Sequence, residues 1–286
     1  MKISIIGSGV TGQATGFGFC HQGYKTIFYD IDHKKLDDLE DKGYSVSRTV
    51  EDAVEKSDII FICVPTPTTN RRIDLGIISN VARNIAEALK KTEGYKIVVV
   101  KSTVLPSITR TAVLPILEKY SGKKAGPDFG LCTNPEFLTE KNALQDFIQP
   151  NRTIIGEFDK KSGDMLETLY KPFDAPIIRT SLENAEMIKY VSNIFLATKI
   201  SFFNEIYLIC NKLGLDSDVV SSGAAYDPRI GKYGTKGGKP FGGSCFPKDL
   251  GAFLGYLEDN KIEAGILKEV QEINNKMTEK DKINIP

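Results

Sequence analysis

The sequence predicts an α/β protein: a doubly wound parallel sheet over residues 1–180, followed by a helical region over residues 181–286. Three observations carry this expectation. Short apolar runs alternate with helical stretches through the first half, as in a sheet buried on both faces and joined by crossover helices. A Gly-x-Gly-x-x-Gly turn follows the first apolar run. Beyond Thr180 a long run without Gly or Pro breaks the alternation.

The elements follow in order. Residues 3–6 read as a short buried strand, Gly7 to Gly12 as a turn, and residues 13–22 as a helix with small residues. Residues 26–30 (Thr-Ile-Phe-Tyr-Asp) form a second strand and residues 33–42 a polar helix. A third strand covers 58–64, a helix 75–91, and another strand 96–100. The run 181–213 is a long helix with Thr180 or Ser181 as N-cap, Glu183 in its first turn and Gly214 as its stop. A short helical piece, a glycine-rich loop at 231–243 and helices at 248–258 and 261–275 come next. The polar residues 278–286 read as a frayed end.

Composition narrows the function. The 286 residues are 41% hydrophobic and 26% charged, ordinary for a globular protein with about two domains. Lys plus Arg and Asp plus Glu number 37 each, so no basic excess points to nucleic acid. No stretch reaches the roughly 18 apolar residues of a membrane span, and the N-terminal apolar run is too short for a secretory signal. The five cysteines are odd in number and irregular in spacing, with no Cys-x-x-Cys pair and only two histidines. A zinc site is not expected, and a reducing cytoplasm is.

The glycine turn carries the first chemistry. Gly7-Ser8-Gly9-Val10-Thr11-Gly12 ends a strand and opens a helix, and Asp30 ends the second strand 18 residues beyond Gly12. Glycines there let a pyrophosphate approach the helix N-terminus, and a carboxylate at that spacing accepts from ribose hydroxyls. Asp30 also selects NAD over NADP, because a 2′-phosphate would meet its charge. Val64-Pro65-Thr66-Pro67-Thr68 ends the third strand and Lys101-Ser102-Thr103-Val104 follows the fourth. Both lie where parallel sheets bind ligands, and the prolines also rigidify the first loop.

The second half offers different chemistry. Phe241-Gly242-Gly243-Ser244-Cys245-Phe246-Pro247-Lys248-Asp249 sets a cysteine in a glycine-rich loop with a carboxylate four residues on. Cys20, Cys63, Cys132 and Cys210 lie in apolar surroundings and read as small packing residues. Lys189 and Asn193 are four apart on the long helix and share a face, one that would present an amine and an amide. Lys199 is rotated well away from Lys189 and reads as surface or structural. Glu136 and Glu140, in Asn134-Pro135-Glu136-Phe137-Leu138-Thr139-Glu140, are two acids four apart. From spacing alone they read as solvated acids at a helix start.

Together these motifs resemble the nucleotide-sugar dehydrogenase family, in the family's order and over nearly the whole chain. The Phe241–Asp249 run is highly specific to it. Asp227-Pro228-Arg229-Ile230-Gly231 and Lys189-Tyr190-Val191-Ser192-Asn193-Ile194-Phe195-Leu196-Ala197 look more like its UDP-glucose branch than its GDP-mannose or UDP-N-acetylmannosamine branches. The resemblance implies a Rossmann-type domain and an NAD-dependent, four-electron oxidation at C6 of UDP-glucose. Cys245 would be the nucleophile. Lys189, Asn193 and Asp249 would surround C6 and the catalytic water, with Thr103 and Glu136 assisting that water and Glu140 on the substrate side. Arg229 would reach the sugar of a neighbouring subunit. Gly7, Gly9, Val10, Gly12, Asp30, Pro65, Thr66, Thr68 and Ser102 would hold NAD, with Lys35 near its adenosine end.

The 181–213 run is apolar on more than one side (Met187, Ile188, Ile194, Phe195, Leu196, Ile200, Phe202, Phe203 and Ile206), which together with the resemblance predicts a homodimer through the helical region, and no metal is expected. The resemblance also implies a further nucleotide-sugar-binding domain that this sequence, ending at Pro286, does not contain. The chain departs from the family at Lys141, where glycine is usual, and at Arg71-Arg72, in a loop that is commonly acidic or small. The alternatives are a dehydrogenase for another nucleotide sugar and an NAD-binding dimer without catalytic activity.

Overall fold

A computed structural model describes residues 1–283 of the chain. By compactness they form two units. The first comprises Met1–Pro67 and Asp74–Lys189, and the second Thr68–Ile73 and the residues from Tyr190 onward.

The first unit opens with β1 (Lys2–Ile6), α1 (Val10–His21), β2 (Lys25–Tyr29), α2 (His33–Asp41), β3 (Ser45–Val46), α3 (Val50–Glu55) and β4 (Ile59–Ile62). A two-stranded hairpin, β5 (Thr68–Thr69) and β6 (Arg72–Ile73), follows and groups with the second unit. The first unit resumes with α4 (Gly76–Lys91), β7 (Ile97–Val100), a π-helical turn (Thr109–Val113) continuing into α5 (Leu114–Ser121), and β8 (Gly130–Thr133). It closes with α6 (Ala143–Ile148), β9 (Thr153–Glu157), α7 (Lys160–Tyr170), β10 (Ile177–Ser181) and the first turns of α8 (Leu182–Leu213).

Among the described residues the sheet has eight strands in the order β10-β9-β8-β7-β4-β1-β2-β3. From β3 to β8 all pairs are parallel, and the order reverses direction between β1 and β4. β9 runs antiparallel to β8, and β10 parallel to β9. The last two strands therefore run against the other six, so the parallel sheet that the sequence predicts is mostly parallel, with a reversed pair at one edge. The segment joining β8 to β9 stays at the end of the sheet where β8 finished, and an antiparallel neighbour needs no crossover.

Strand residues alternate between two cores. Ile59, Phe61, Ile97 and Val99 pack on the side of α1, α6 and α7, against Phe19, Phe147 and Leu166. Ile60, Ile62, Val98 and Val100 pack on the other side, against Ala82 and Ile85 of α4 and Leu117 of α5. The period of two sends neighbouring residues to opposite faces, and both faces are apolar because both are covered. This is why the strands read as unbroken apolar runs. β3 and α3 are too short to show a period, and the expectation omitted them.

The second unit is helical. α8 starts where Ser181 Oγ accepts from Asn184 N (3.2 Å) and ends before Gly214. α9 (Ser217–Ala225) is capped by Asp216, which accepts from Asp218 N and Val219 N. α10 (Phe246–Asp259) begins at Cys245, its N-cap, and α11 (Gly265–Ile283) follows. α10 thus starts two residues earlier than expected. Residues 278–283 are helical rather than frayed, and residues 284–286 of that expected frayed end lie outside the described residues. The hairpin lies on α10: Arg71 pairs with Glu258 (2.9 Å) and Arg72 with Asp259. Along α8, Val191, Phe195, Phe202, Ile209 and Leu213 are exposed, at spacings that gather them on one face.

Candidate functional site

The glycine turn sits at the carboxyl end of β1, beside the point where the strand order reverses. Its backbone dictates its residues. Gly7 has φ +101°, and a Cβ there would lie 2.7 Å from the Cys63 carbonyl oxygen. A Cβ on Gly12 would lie 1.9 Å from Gly7 O. Both positions exclude a side chain, so α1 can start at Val10, three residues earlier than its sequence suggested. Gly9, the N-cap of α1, has no atom within 4 Å of where a Cβ would be, and Val10 beside it is 56% exposed. The turn is closed against the protein and open outward, and it presents a helix N-terminus, which suits a pyrophosphate.

Asp30 lies one residue past β2 and is buried. Its Oδ2 accepts from Ser8 N (2.7 Å) and its Oδ1 from Asp32 N (2.9 Å), while Lys35 Nζ stands 3.5 Å from Oδ2. The carboxylate therefore braces the glycine turn, a task its spacing did not reveal. Thr66 Oγ1 donates to Thr103 O (2.6 Å) and Ser102 Oγ to Val64 O (2.7 Å), tying together the loops after β4 and β7. Pro65 is exposed. Thr68 falls in the hairpin of the second unit, and its hydroxyl has no hydrogen-bond partner among the described residues.

A second cluster occupies the carboxyl ends of β7 and β8. Lys189, almost wholly buried, donates to Glu136 Oε1 (2.8 Å), and Glu136 Oε2 accepts from Leu138 N (2.6 Å). Burial opposes ionisation of Glu136, but the Lys189 ammonium and these hydrogen bonds outweigh it and hold its carboxyl below the usual range. Glu140 is exposed at the start of a short 3₁₀ turn. The two acids, equivalent by spacing, are thus in different environments. Lys101, not among the expected site residues, is buried here too. It donates to Asn134 Oδ1 (2.9 Å), which also accepts from Tyr170 Oη (2.5 Å), and burial pushes its ammonium down to about 8. The sequence signal was a lysine directly after a strand buried on both faces.

In the second unit Asn193 Nδ2 donates to Asp249 Oδ2 (2.7 Å) and Lys248 Nζ to Asp249 Oδ1 (2.6 Å). Asp249 is 1% exposed, and its charge is compensated by these two partners. Lys248 was not among the expected residues, although it adjoins Asp249. Lys189 and Asn193 share a face of α8, each engaged by its own carboxylate. Cys245 is exposed at the N-terminus of α10, one turn before Asp249, whose N–H donates to Cys245 O (2.8 Å). The Ser244 hydroxyl is 3.7 Å from its sulfur. Cys63, Cys132 and Cys210 are buried and Cys20 half-buried. Burial pushes the Cys63 and Cys132 thiols up to about 12, which leaves them unreactive. Arg229 is exposed and paired with Asp227 (2.7 Å). Lys199 Nζ donates to Ile230 O (2.5 Å) and Gly231 O (3.0 Å), so it holds the turn that carries Arg229.

A doubly wound sheet with a closed glycine turn and a braced acid at its switch point defines a dinucleotide-binding protein. Known proteins sharpen this. Residues 38–174 match the NAD-binding domain of the UDP-glucose/GDP-mannose dehydrogenase family, and residues 183–276 match its central domain. The glycine turn and Asp30 precede the first matched segment. A GDP-mannose 6-dehydrogenase of Pseudomonas aeruginosa is 38% identical over 98% of this chain and 70% of its own length. A UDP-glucose 6-dehydrogenase of Bacillus subtilis is 38% identical over 96% of this chain and 63% of its own. The structure of a UDP-glucose dehydrogenase from Pyrobaculum islandicum superposes with a TM-score of 0.91 at 34% identity, covering 96% of this chain and 68% of that one. The chain belongs to the UDP-glucose/GDP-mannose dehydrogenase family, and its cofactor is NAD. Among the described residues no helix is long and apolar enough to cross a membrane.

Proposed function

We propose that this chain carries the NAD-binding and central regions, residues 1–180 and 181–286, for oxidation of UDP-glucose to UDP-glucuronate. The observation that carries the reading is Cys245, the exposed thiol at the start of α10, one turn before an Asp249 that Asn193 holds. The substrate rests on Asp227–Gly231 and on the Lys189–Ala197 stretch of α8, which resemble the UDP-glucose branch. GDP-mannose is the second reading, favoured by a relative of equal identity.

The glycine turn, Asp30 and the Ser102 and Thr66 loops would hold NAD, which would supply an acceptor for one hydride per molecule, so the two oxidations would use two NAD in succession. The C6 alcohol first gives up a proton and a hydride to become an aldehyde. The Cys245 thiolate adds to that aldehyde, and the thiohemiacetal loses the second hydride to become a thioester. Water releases the carboxylate and returns the thiol. The Lys189 ammonium offers positive charge to the oxyanion, and Asp249 and Asn193 would orient water. Glu136, kept ionised by Lys189, would take the proton of that water with Thr103 assisting. Glu140 and Arg229 are the substrate-side residues, Arg229 acting in the neighbouring subunit.

The proposed assembly is a homodimer that covers the apolar face of α8. The five unpaired cysteines favour a cytoplasmic setting. Mixing the protein with NAD and either UDP-glucose or GDP-mannose tests the reading. Two NADH per UDP-glucose is expected. Preference for GDP-mannose would move the substrate, and NADH from neither would favour a non-catalytic NAD-binding dimer. Cys245→Ser should fold and bind NAD normally while acid production collapses, because a serine is far less ionised and its ester less labile. Undiminished acid production in that variant would remove Cys245 from the mechanism.

A further inference from the structure

Ser107 has φ +76°, a left-handed conformation that residues with side chains occupy only when something holds them there. Here the holder is a carboxylate from far along the chain. Glu186 lies on α8, one turn before Lys189, and is 2% exposed. Its Oε2 accepts from Ser107 N (2.6 Å) and its Oε1 from Thr109 N (2.9 Å). Thr109 begins the π-helical turn that leads into α5, so one acid satisfies amides at a helix start that would otherwise lack partners. The Thr109 hydroxyl is also fixed, 3.0 Å from Thr133 Oγ1 at the end of β8. The neighbouring charges are engaged elsewhere. Arg110 pairs with Glu183, one turn earlier on α8, and Lys189 pairs with Glu136.

The segment this clamp closes is short and specific. It runs from Lys101 at the end of β7 to Ser107, and it carries Ser102 and Thr103. Val104 and Leu105 are buried, so the segment is anchored in its middle and at both ends. We propose that Glu186 is a positioning residue whose carboxylate, by clamping Ser107 and Thr109, sets the loop that presents Ser102 and Thr103 to the bound cofactor and substrate. The second half of that statement rests on the roles proposed above for Ser102 and Thr103, and the clamp itself does not.

The clamp is also sensitive to pH in the neutral range. Burial pushes the Glu186 carboxyl up to about 7, against the opposing pull of the Thr109 and Ser107 N–H groups, with Glu183 adding to the rise. Protonation turns one of its oxygens into a donor and leaves one of the two amides without its acceptor. The clamp is therefore complete above pH 7 and weakens below it. Folding stability runs the other way. The folded state binds this proton more readily than the unfolded state, so the group's contribution to stability falls as pH rises from about 4.5 to about 7.

Three changes test the inference: Glu186→Ala, the near-isosteric Glu186→Gln, and Ser107→Gly in the Glu186→Ala background. The readouts are exchange of the Ser107 and Thr109 amides, corrected for intrinsic rate, and NAD affinity by calorimetry at pH 6 and pH 8. In the unaltered protein at least one of the Ser107 and Thr109 amides should be better protected at pH 8 than at pH 6. Glu186→Gln should abolish that difference. Glu186→Ala should speed Thr109 exchange by roughly tenfold or more, as expected for loss of a charge-assisted hydrogen bond, and weaken NAD binding severalfold. Ser107→Gly should recover part of the NAD affinity, because glycine adopts φ +76° without the carboxylate's help. Unchanged Thr109 exchange in Glu186→Ala overturns the clamp. Faster exchange with unchanged NAD affinity reduces Glu186 to a structural role and overturns the positioning. Failure of the unaltered protein to bind NAD would count against the cofactor site instead, and the exchange comparison would still decide the clamp.

Discussion

Asp30 and Lys101 are buried charged residues whose partners include groups far away in the chain. The Asp30 carboxylate already accepts from Ser8 N and Asp32 N, and its remaining lone pairs are what a ribose would use. Asp30→Ala should weaken NAD binding by about 1.5–3 kcal/mol for each charge-assisted hydrogen bond lost, and calorimetry reads this directly. Undiminished affinity would end the assignment. Lys101 makes a prediction about pH. Its folded-state value is depressed to about 8 by burial, whereas an unfolded lysine titrates near 10.4. Between those values the unfolded chain binds more protons, so this group's contribution to stability rises with pH. The melting temperature of the unaltered protein, relative to that of Lys101→Met, should climb between pH 8 and pH 10. A flat difference would place the ammonium in a better solvated setting than the one described.

At the scale of elements, the glycine turn separates two requirements that its sequence pattern merges. Gly12 is required by the fold, since a Cβ would stand 1.9 Å from a backbone oxygen, whereas Gly9 faces open space. Gly12→Ala should lower the melting temperature and abolish NAD binding together. Gly9→Ala should melt almost normally yet bind NAD roughly tenfold more weakly or worse, because the added methyl would stand in the path of the pyrophosphate if the turn holds NAD as proposed. Equal effects of the two substitutions on melting would contradict this division. α8 shows a similar division by face. Glu186, Lys189 and Asn193 are buried and hydrogen-bonded, while Val191, Phe195 and Phe202 project from a different side. Apolar residues lie on more than one side of α8. Ile194 and Phe203 are buried within this chain, and Phe195 and Phe202 are not.

At the scale of the whole molecule, the uncovered face of α8 argues for a second copy, because contiguous exposed apolar surface of this kind marks an interaction site. Light scattering at micromolar concentration should give twice the chain mass of 31.6 kDa. Phe195→Asp combined with Phe202→Asp should shift the protein to monomer, since two charges on the covered face would have to be desolvated. A monomeric mass for the unaltered protein would remove the homodimer and, with it, the neighbouring-subunit role of Arg229.

The sequence by itself determined the class of sheet and the cofactor, and it singled out a glycine turn and one cysteine as the candidates for chemistry. Each depends on local rules: apolar runs between helices, glycines at fixed spacing after a strand, and a thiol in a glycine-rich loop beside an acid. It did not determine the reversal of β9 and β10, because strand direction depends on which end of the sheet the chain re-enters. Only the tertiary structure decided which charges meet. Glu136 and Glu140 are equivalent by spacing, yet one is buried against Lys189 and the other is solvated. Asp30 reaches the glycine turn, Lys101 reaches Asn134, and Glu186 reaches Ser107 across 79 residues. A carboxylate's or ammonium's role depends on its burial and its partner, and those partners are set by strand order and helix packing rather than by neighbours in sequence.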